Sequence, residues 1–206
     1  MRPGTTALFA ASVRPERLND RILHLVQERL KSRNHVVKVV DPLNIHLPLL
    51  QIPWGFYSDP ENQAPKELAD LVHLVSQADR IIVTTCEYNS AIPPALSNLI
   101  DHLPHSALAY KPAGIIAYTT GPVGGQNCAS SLRLCLTELG CLVVPHSMIL
   151  YQADLRVSPE GKTLGSVEQQ AELVEEMDLV IQQVEYLDQL KRMQPGLICP
   201  KLHPYL

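Results

Sequence analysis

Short apolar runs alternate with stretches of helical periodicity along nearly the whole chain, and this alternation constrains the fold more than any other feature. Residues 5–11 (TTALFAA) have the character of a buried strand, and Leu18, Ile22, Leu25, Val26 and Leu30 follow at helical spacing. Val36–Val40 forms a second apolar run, 66–78 a helix, and 80–85 (RIIVTT) a third strand rich in β-branched residues. Pro93-Pro94 opens another helix, 113–118 supplies a fourth strand, 124–140 contains a helix, and 142–144 is a short fifth strand. The last helix spans 167–191, with Ala171, Val174, Ile181, Val184 and Leu187 expected to face inward. Strands separated by helices imply right-handed crossovers, which cover both faces of a parallel sheet. The expected fold is therefore α/β, a doubly wound three-layer sandwich with a five-stranded parallel sheet. One domain is expected over 1–192, followed by a tail over 193–206.

One segment breaks the pattern. Between Asp41 and the helix at 66 lie Pro42, Pro48, Pro53, Pro60 and Pro65, so no regular element is expected there. A connection that long usually serves as a lid, a site wall or a dimer arm. Hydrophobic residues make up 46% of the 206 residues and charged ones 18%, against about 25% charged in an ordinary soluble domain. Disorder is excluded, and some apolar surface is left for a partner. With 17 Lys and Arg against 21 Asp and Glu, the chain lacks the positive field that nucleic acid or an anionic membrane needs. No apolar run is long enough to span a bilayer, and the first residues lack the pattern of a signal peptide, so a cytoplasmic protein is expected. Five cysteines without a C-x-x-C pair suggest reduced thiols. Cys128 and Cys135 fall in phase with Leu132, Leu136 and Leu139, which makes them packing residues. His102 and His105 follow Asp101, but Pro104 breaks the helix between them, so a surface turn is favoured over a metal site.

Ligands of doubly wound sheets bind beyond the carboxyl ends of the strands, which directs attention to the loops after strands one, three and four. The first, ASVRPERLN (residues 11–19), runs straight into a helix N-terminus, where free N–H groups and the helix dipole favour an anion. Ser12 and Asn19 can add neutral donors; Arg14 and Arg17 can add charged ones suited to phosphate. The alternative is that Ser12 caps the helix while both arginines are solvated. Neither G-x-G-x-x-G nor a P-loop pattern is present, which disfavours dinucleotide and triphosphate sites. The second loop, CEYNSAIPP (86–94), offers an aromatic face and backbone groups to a planar heterocycle, or else is a capped turn. The third, TTGPVGG (119–125), is dense enough in glycine to suggest positive φ or close approach to a ligand, or else an ordinary turn.

Together with PALSNLID (94–101), these loops resemble the NADPH-dependent FMN reductase family of flavodoxin-like proteins, which includes quinone, azo-dye and chromate reductases. The family pattern is roughly G-S-x-R-x-x-[SR]-x-N, then P-E-Y-N-x-S-x-P-x-x-L-K-N-x-I-D, then a glycine-rich turn. The resemblance implies that Ser12, Arg14, Arg17 and Asn19 hold the FMN phosphate. It places Cys86, Glu87, Tyr88 and Asn89 against the isoalloxazine, and Thr119, Gly121 and Gly124 along its other edge. Ala11 stands where glycine is usual, Cys86 replaces a proline, Ser90-Ala91 replaces the usual x-Ser, and Ser97 replaces lysine. Arg17 in place of serine resembles the quinone-reductase branch, where S-x-R-P-x-R is common. The activity so implied is ping-pong hydride transfer from NADPH or NADH through FMN to a small-molecule electron acceptor, with no side-chain nucleophile. The resemblance also implies a homodimer, or a tetramer built from two, with Trp54, Phe56 or Tyr57 near the partner's flavin. The surplus apolar surface of the helix carrying Ala95, Leu96, Leu99, Ile100 and Leu103 supports that expectation. Two other readings share the fold. A non-catalytic flavodoxin-type electron carrier requires an acidic docking face and a threonine-rich phosphate loop; a regulatory homologue that lost its site is supported only by Ala11 and Cys86.

Overall fold

Five parallel strands lie in the order β2-β1-β3-β4-β5 in the computed structural model, which describes residues 3–194. The strands are β1 (Thr5–Ala10), β2 (Val36–Val40), β3 (Arg80–Cys86), β4 (Pro112–Tyr118) and β5 (Leu142–Leu150). The helices are α1 (Asn19–Ser32), α2 (Pro60–Gln63), α3 (Lys66–Gln77), α4 (Pro94–Asp101), α5 (His105–Leu108), α6 (Gln126–Glu138), α7 (Ala153–Arg156) and α8 (Val167–Met193). Residues 195–206, most of the expected tail, lie outside the described ones.

Strand alternation divides the core in two. Ala7, Phe9, Ile81, Val83, Ile115 and Ala117 point to one face, where α3, α4 and α6 cover them. Leu8, Ala10, Ile82, Ile116 and Met148 point to the other, under α1 and α8. Gly114 lets α8 approach β4 closely, since a Cβ there would lie 2.6 Å from Val180 Cγ1 and 3.0 Å from Val184 Cγ2. β1 pairs with β2 on one side and β3 on the other, so the chain reverses its winding between β1 and β3 and leaves a crevice above their carboxyl ends.

Three expectations need correction. β5 runs on to Leu150 instead of stopping at Val144; its register shifts opposite Ala113 and Ile115, and this irregularity takes in the segment containing Pro145. The buried stripe of α8 is Leu173, Met177, Val180, Ile181 and Val184; Ala171 is exposed, and Val174 and Leu187 are half-buried. Residues 41–65 are also less irregular than their prolines suggest, because Trp54–Phe56 makes a 3₁₀ turn and Pro60 starts α2, a helical position that proline suits.

That long segment folds over its own chain. Leu50 N–H donates to Asn98 Oδ1 (2.9 Å), Asn98 Nδ2 donates to Pro48 O (2.9 Å), and His102 Nε2 lies 3.0 Å from the same carbonyl. Ile45, Leu47, Trp54 and Tyr57 pack against the core, and Leu96, Leu99, Ile100 and Leu103 are all buried. The apolar surface of α4 is thus covered in cis, and the surplus expected there appears instead on the segment itself.

Candidate functional site

The first loop is shaped from within. Asn19, fully buried, accepts from Ala11 N–H (2.8 Å) and Ser12 N–H (3.2 Å) through Oδ1, and its Nδ2 donates to Thr84 Oγ1 (2.9 Å). Thr84 Oγ1 in turn donates to Phe9 O, which fastens the loop across β1 and β3. Ala11 is absent from the positive-φ residues, so the position needs no glycine. Arg14 is exposed; its guanidinium carbon lies 3.9 Å from the centroid of the Tyr88 ring, a stacked cation–aromatic pair.

Arg17 is buried and fully engaged. Nε donates to Asp20 Oδ1 (2.8 Å), Nη1 to Asp41 Oδ1 (2.7 Å) and to Ser12 O, and Nη2 to Asp41 Oδ2 while lying 2.8 Å from Asp20 Oδ1. The hydrogen bond to Asp41 is the foremost cause of a raised Arg17 pKa. Burial alone would raise Asp41, but hydrogen bonds from Arg17 and Leu43 N–H outweigh it and hold the carboxyl below its ordinary range.

The second loop is a tight reversal. Tyr88 and Ala91 exchange backbone hydrogen bonds (3.1 and 3.0 Å) across Asn89 (φ 53°) and Ser90 (φ 61°), as in a two-residue hairpin turn with both central residues left-handed. Tyr88 Oη lies 2.7 Å from Ser12 Oγ, which ties this loop to the first. Burial raises the Tyr88 hydroxyl above its ordinary pKa, so it remains protonated at neutral pH. Cys86 ends β3, half-buried, and lines the same cavity wall as Tyr88 and Tyr118. Glu87 turns the other way: Oε2 accepts from Gly125 N–H (3.1 Å) and Cys128 N–H (3.0 Å) at the start of α6.

The third loop bends through Gly124 (φ 124°) and Gly125 (φ 92°), with Gly121 N–H donating to Thr119 Oγ1 (3.1 Å). Gly125 sits at the N-cap of α6 without any side chain to cap it, and Glu87 supplies the missing acceptor from a distance.

The three loops enclose a cavity of about 490 Å³, within the range of small-molecule sites. Ser12, Arg14, Arg17, Cys86, Glu87, Tyr88, Asn89 and Thr119 line it; Asn19, Gly121 and Gly124 do not. Sequence reasoning missed Tyr118, whose position inside an apolar strand hides it, and Thr120. It also missed Asp41, whose only signal was its place at the carboxyl end of a parallel strand.

The sequence model of the family described as NADPH-dependent FMN reductase matches residues 5–154. The chain belongs to this family. Among its relatives, the reductase subunit named NADH:(hydroxy)cinnamate reductase subunit CrdA, of Vibrio ruber, is 29% identical over 129 residues, covering 61% of this chain and 59% of that protein. The NADPH azoreductase of Bacillus sp. strain OY1-2 is 32% identical over 95 residues, covering 46% and 53%. The quinone reductase of Escherichia coli K12 is 36% identical over 87 residues, covering 41% and 46%. The chain thus spans only about half the length of these curated relatives. The solved structure of FerB, a flavoenzyme NAD(P)H:(acceptor) oxidoreductase from Paracoccus denitrificans, shares the flavodoxin-like fold with a TM-score of 0.71 at 22% identity over 89% of this chain and 98% of that one.

Proposed function

We propose that this FMN reductase family member is an FMN-dependent oxidoreductase that uses NADPH or NADH to reduce a small acceptor such as a quinone, an azo compound, a free flavin or an oxidised metal. The observation that supports it best is the convergence of three mutually braced loops on one cavity at the reversal point of the sheet. The donor chemistry suits FMN. One end offers the Ser12 hydroxyl, the Arg14 guanidinium and the approach to the α1 N-terminus, a combination that fits a phosphate monoester. The other offers the backbone of Glu87, Tyr88 and Asn89 and the start of the Thr119–Thr120 turn, which fit the polar edge of a flat heterocycle.

When bound, FMN would supply the redox chemistry, accepting hydride from the nicotinamide and passing electrons to the acceptor in a ping-pong cycle. The protein's part is positioning. Asn19 and Arg17 fix the course of the first loop, Glu87 locks the second loop to α6, and the protonated Tyr88 hydroxyl bridges the first two loops. Isothermal calorimetry should detect FMN binding, with riboflavin much weaker, and NADPH oxidation should be accelerated by an added acceptor of the proposed set, such as a quinone or an azo compound. Arg14→Ala should weaken FMN binding by about 1.5–3 kcal/mol, the worth of a hydrogen bond to a charged group. Correctly folded protein that gives no heat with FMN would sink this reading.

The assembly is proposed to be a homodimer, alone or paired into a tetramer. Leu49 (79% exposed), Phe56 (82%) and Ile52 (48%) are apolar residues left exposed on the 41–65 segment, while Trp54 and Tyr57 are partly packed on their own core. Of the three aromatic residues considered for the partner's flavin, Phe56 is the one left largely free. Light scattering should give at least twice the 22.9 kDa chain mass; a monomer with full activity refutes the shared assembly.

A further inference from the structure

Arg17 carries a contradiction between its sequence context and its surroundings. Its position in the first loop suggests a phosphate ligand, yet every nitrogen of its guanidinium is already bound within the protein, and its side chain is 5% exposed. Turning it toward a ligand would strip the buried Asp41 carboxylate, whose side chain is 7% exposed, of its cationic partner. Such a separation is strongly unfavourable.

What Arg17 does hold is the loop backbone. Ser12 is pinned at each of its polar atoms: its N–H by Asn19 Oδ1, its carbonyl by Arg17 Nη1, and its hydroxyl by Tyr88 Oη, with Arg14 N–H 3.3 Å from the same Oγ. In a planar trans peptide, a Ser12 carbonyl drawn toward Arg17 sends the Val13 N–H the opposite way. The direction of the amides that an anion would meet at this turn is therefore set from behind. Asp41 fixes the guanidinium that fixes the carbonyl, and the planar fork-to-fork pairing leaves little freedom in the arrangement.

Asp41 itself stands outside the cavity wall. It follows directly on β2, accepts from Leu43 N–H (2.9 Å), and its own carbonyl accepts from Asn44 and Ile45 N–H, so it also starts the fold of the 41–65 segment.

We propose that Asp41, acting through Arg17, is a positioning residue for the cofactor's phosphate: selection of FMN over riboflavin depends on a carboxylate that touches neither. This inference rests on the FMN reading above. Arg17 serves as a brace in it, and direct phosphate contact falls to Ser12, Arg14 and the loop amides.

The test is calorimetric titration of FMN and of riboflavin into the wild type, Asp41→Asn, Arg17→Lys and the double variant Arg17→Met/Asp41→Leu. Arg17→Lys keeps a positive charge beside Asp41 but loses the fork that also reaches the Ser12 carbonyl. The double variant removes the pair without leaving a buried charge, and so preserves folding if Asp41→Asn does not. In each variant that melts like the wild type, FMN affinity should fall about tenfold or more, the scale of a lost charge-assisted contact, while riboflavin affinity stays within about twofold. FMN and riboflavin weakening together would show a merely structural pair and overturn the inference. So would an unchanged ratio in the folded variants. A wild type that binds neither ligand overturns the cofactor reading itself, whereas a wild type that binds FMN with variants of unchanged ratio overturns this inference alone.

Discussion

Glu87 receives two amide N–H groups at the start of α6, one of them from Gly125, which has no side chain of its own to cap the helix. A carboxylate at that position also opposes the positive end of the helix dipole. Glu87→Ala should therefore destabilise the cofactor-free protein by about 1–2 kcal/mol, the worth of a good N-cap. Glu87→Gln, which keeps a neutral acceptor, should lose less. Thermal unfolding of both variants checks this, and a wild-type melting temperature for Glu87→Ala would show that the cap contributes nothing. The same residue marks the limit of sequence reading at the site. The motif brings Ser12, Arg14, Cys86, Tyr88 and Asn89 to one cavity, as their loop positions suggest. It does not distinguish side chains aimed at a ligand from those aimed at the protein, because Asn19, Arg17 and Glu87 carry donors or acceptors that serve either purpose. Their partners lie far along the chain: Thr84 for Asn19, Asp41 for Arg17, Gly125 and Cys128 for Glu87.

At the level of elements, periodicity locates what burial dictates and loses what local chemistry decides. β1, β3 and β4 are buried almost throughout and stand out as apolar runs. The far half of β5 does not, since it is an edge strand in which Pro145, His146 and Ser147 interrupt the run. Arg133 on α6 donates to the carbonyls of Val144 and Pro145 and to Ser147 Oγ, covering an edge that would otherwise offer unpaired groups. In α8, positions Ala171 and Val174 fit a helical apolar stripe as well as Leu173 and Met177 do. The tight approach at Gly114, set by Val180 and Val184, accompanies the rotation that buries the second pair. Cys128 is buried and Cys135 half-buried against the core, in keeping with their phase on α6.

Across the molecule, the sheet end opposite the cavity is closed by ions. His35 Nδ1 lies 2.8 Å from Thr6 Oγ1, and its Nε2 lies 2.8 Å from Glu185 Oε1 and 2.9 Å from Arg80 Nη1. Arg33 also pairs with Glu185, and Arg80 with Asp188, so α8 is clamped to β2, β3 and the end of α1. The Thr6–His35–Glu185 chain has the connectivity of a hydrolase relay, but Thr6 is fully buried, which leaves it a structural role. Burial is the largest influence on His35, and with the nearby Arg80 and Arg33 it outweighs Glu185 and lowers the ring's pKa below 6.5. The unfolded chain therefore holds a proton on this residue at pH values where the native one does not. Stability from this site is present above about pH 6.5, the ordinary value for His, and is lost as pH falls from there toward the folded value. Urea unfolding at pH 7.5 and 5.5 should show the wild type losing more stability on acidification than His35→Gln, which stays neutral at both. Equal losses in the two proteins would mean that the acid sensitivity of the fold arises elsewhere, as at Asp41 and Glu185, whose hydrogen bonds from Arg17 and Arg33 hold their carboxyls below the ordinary range.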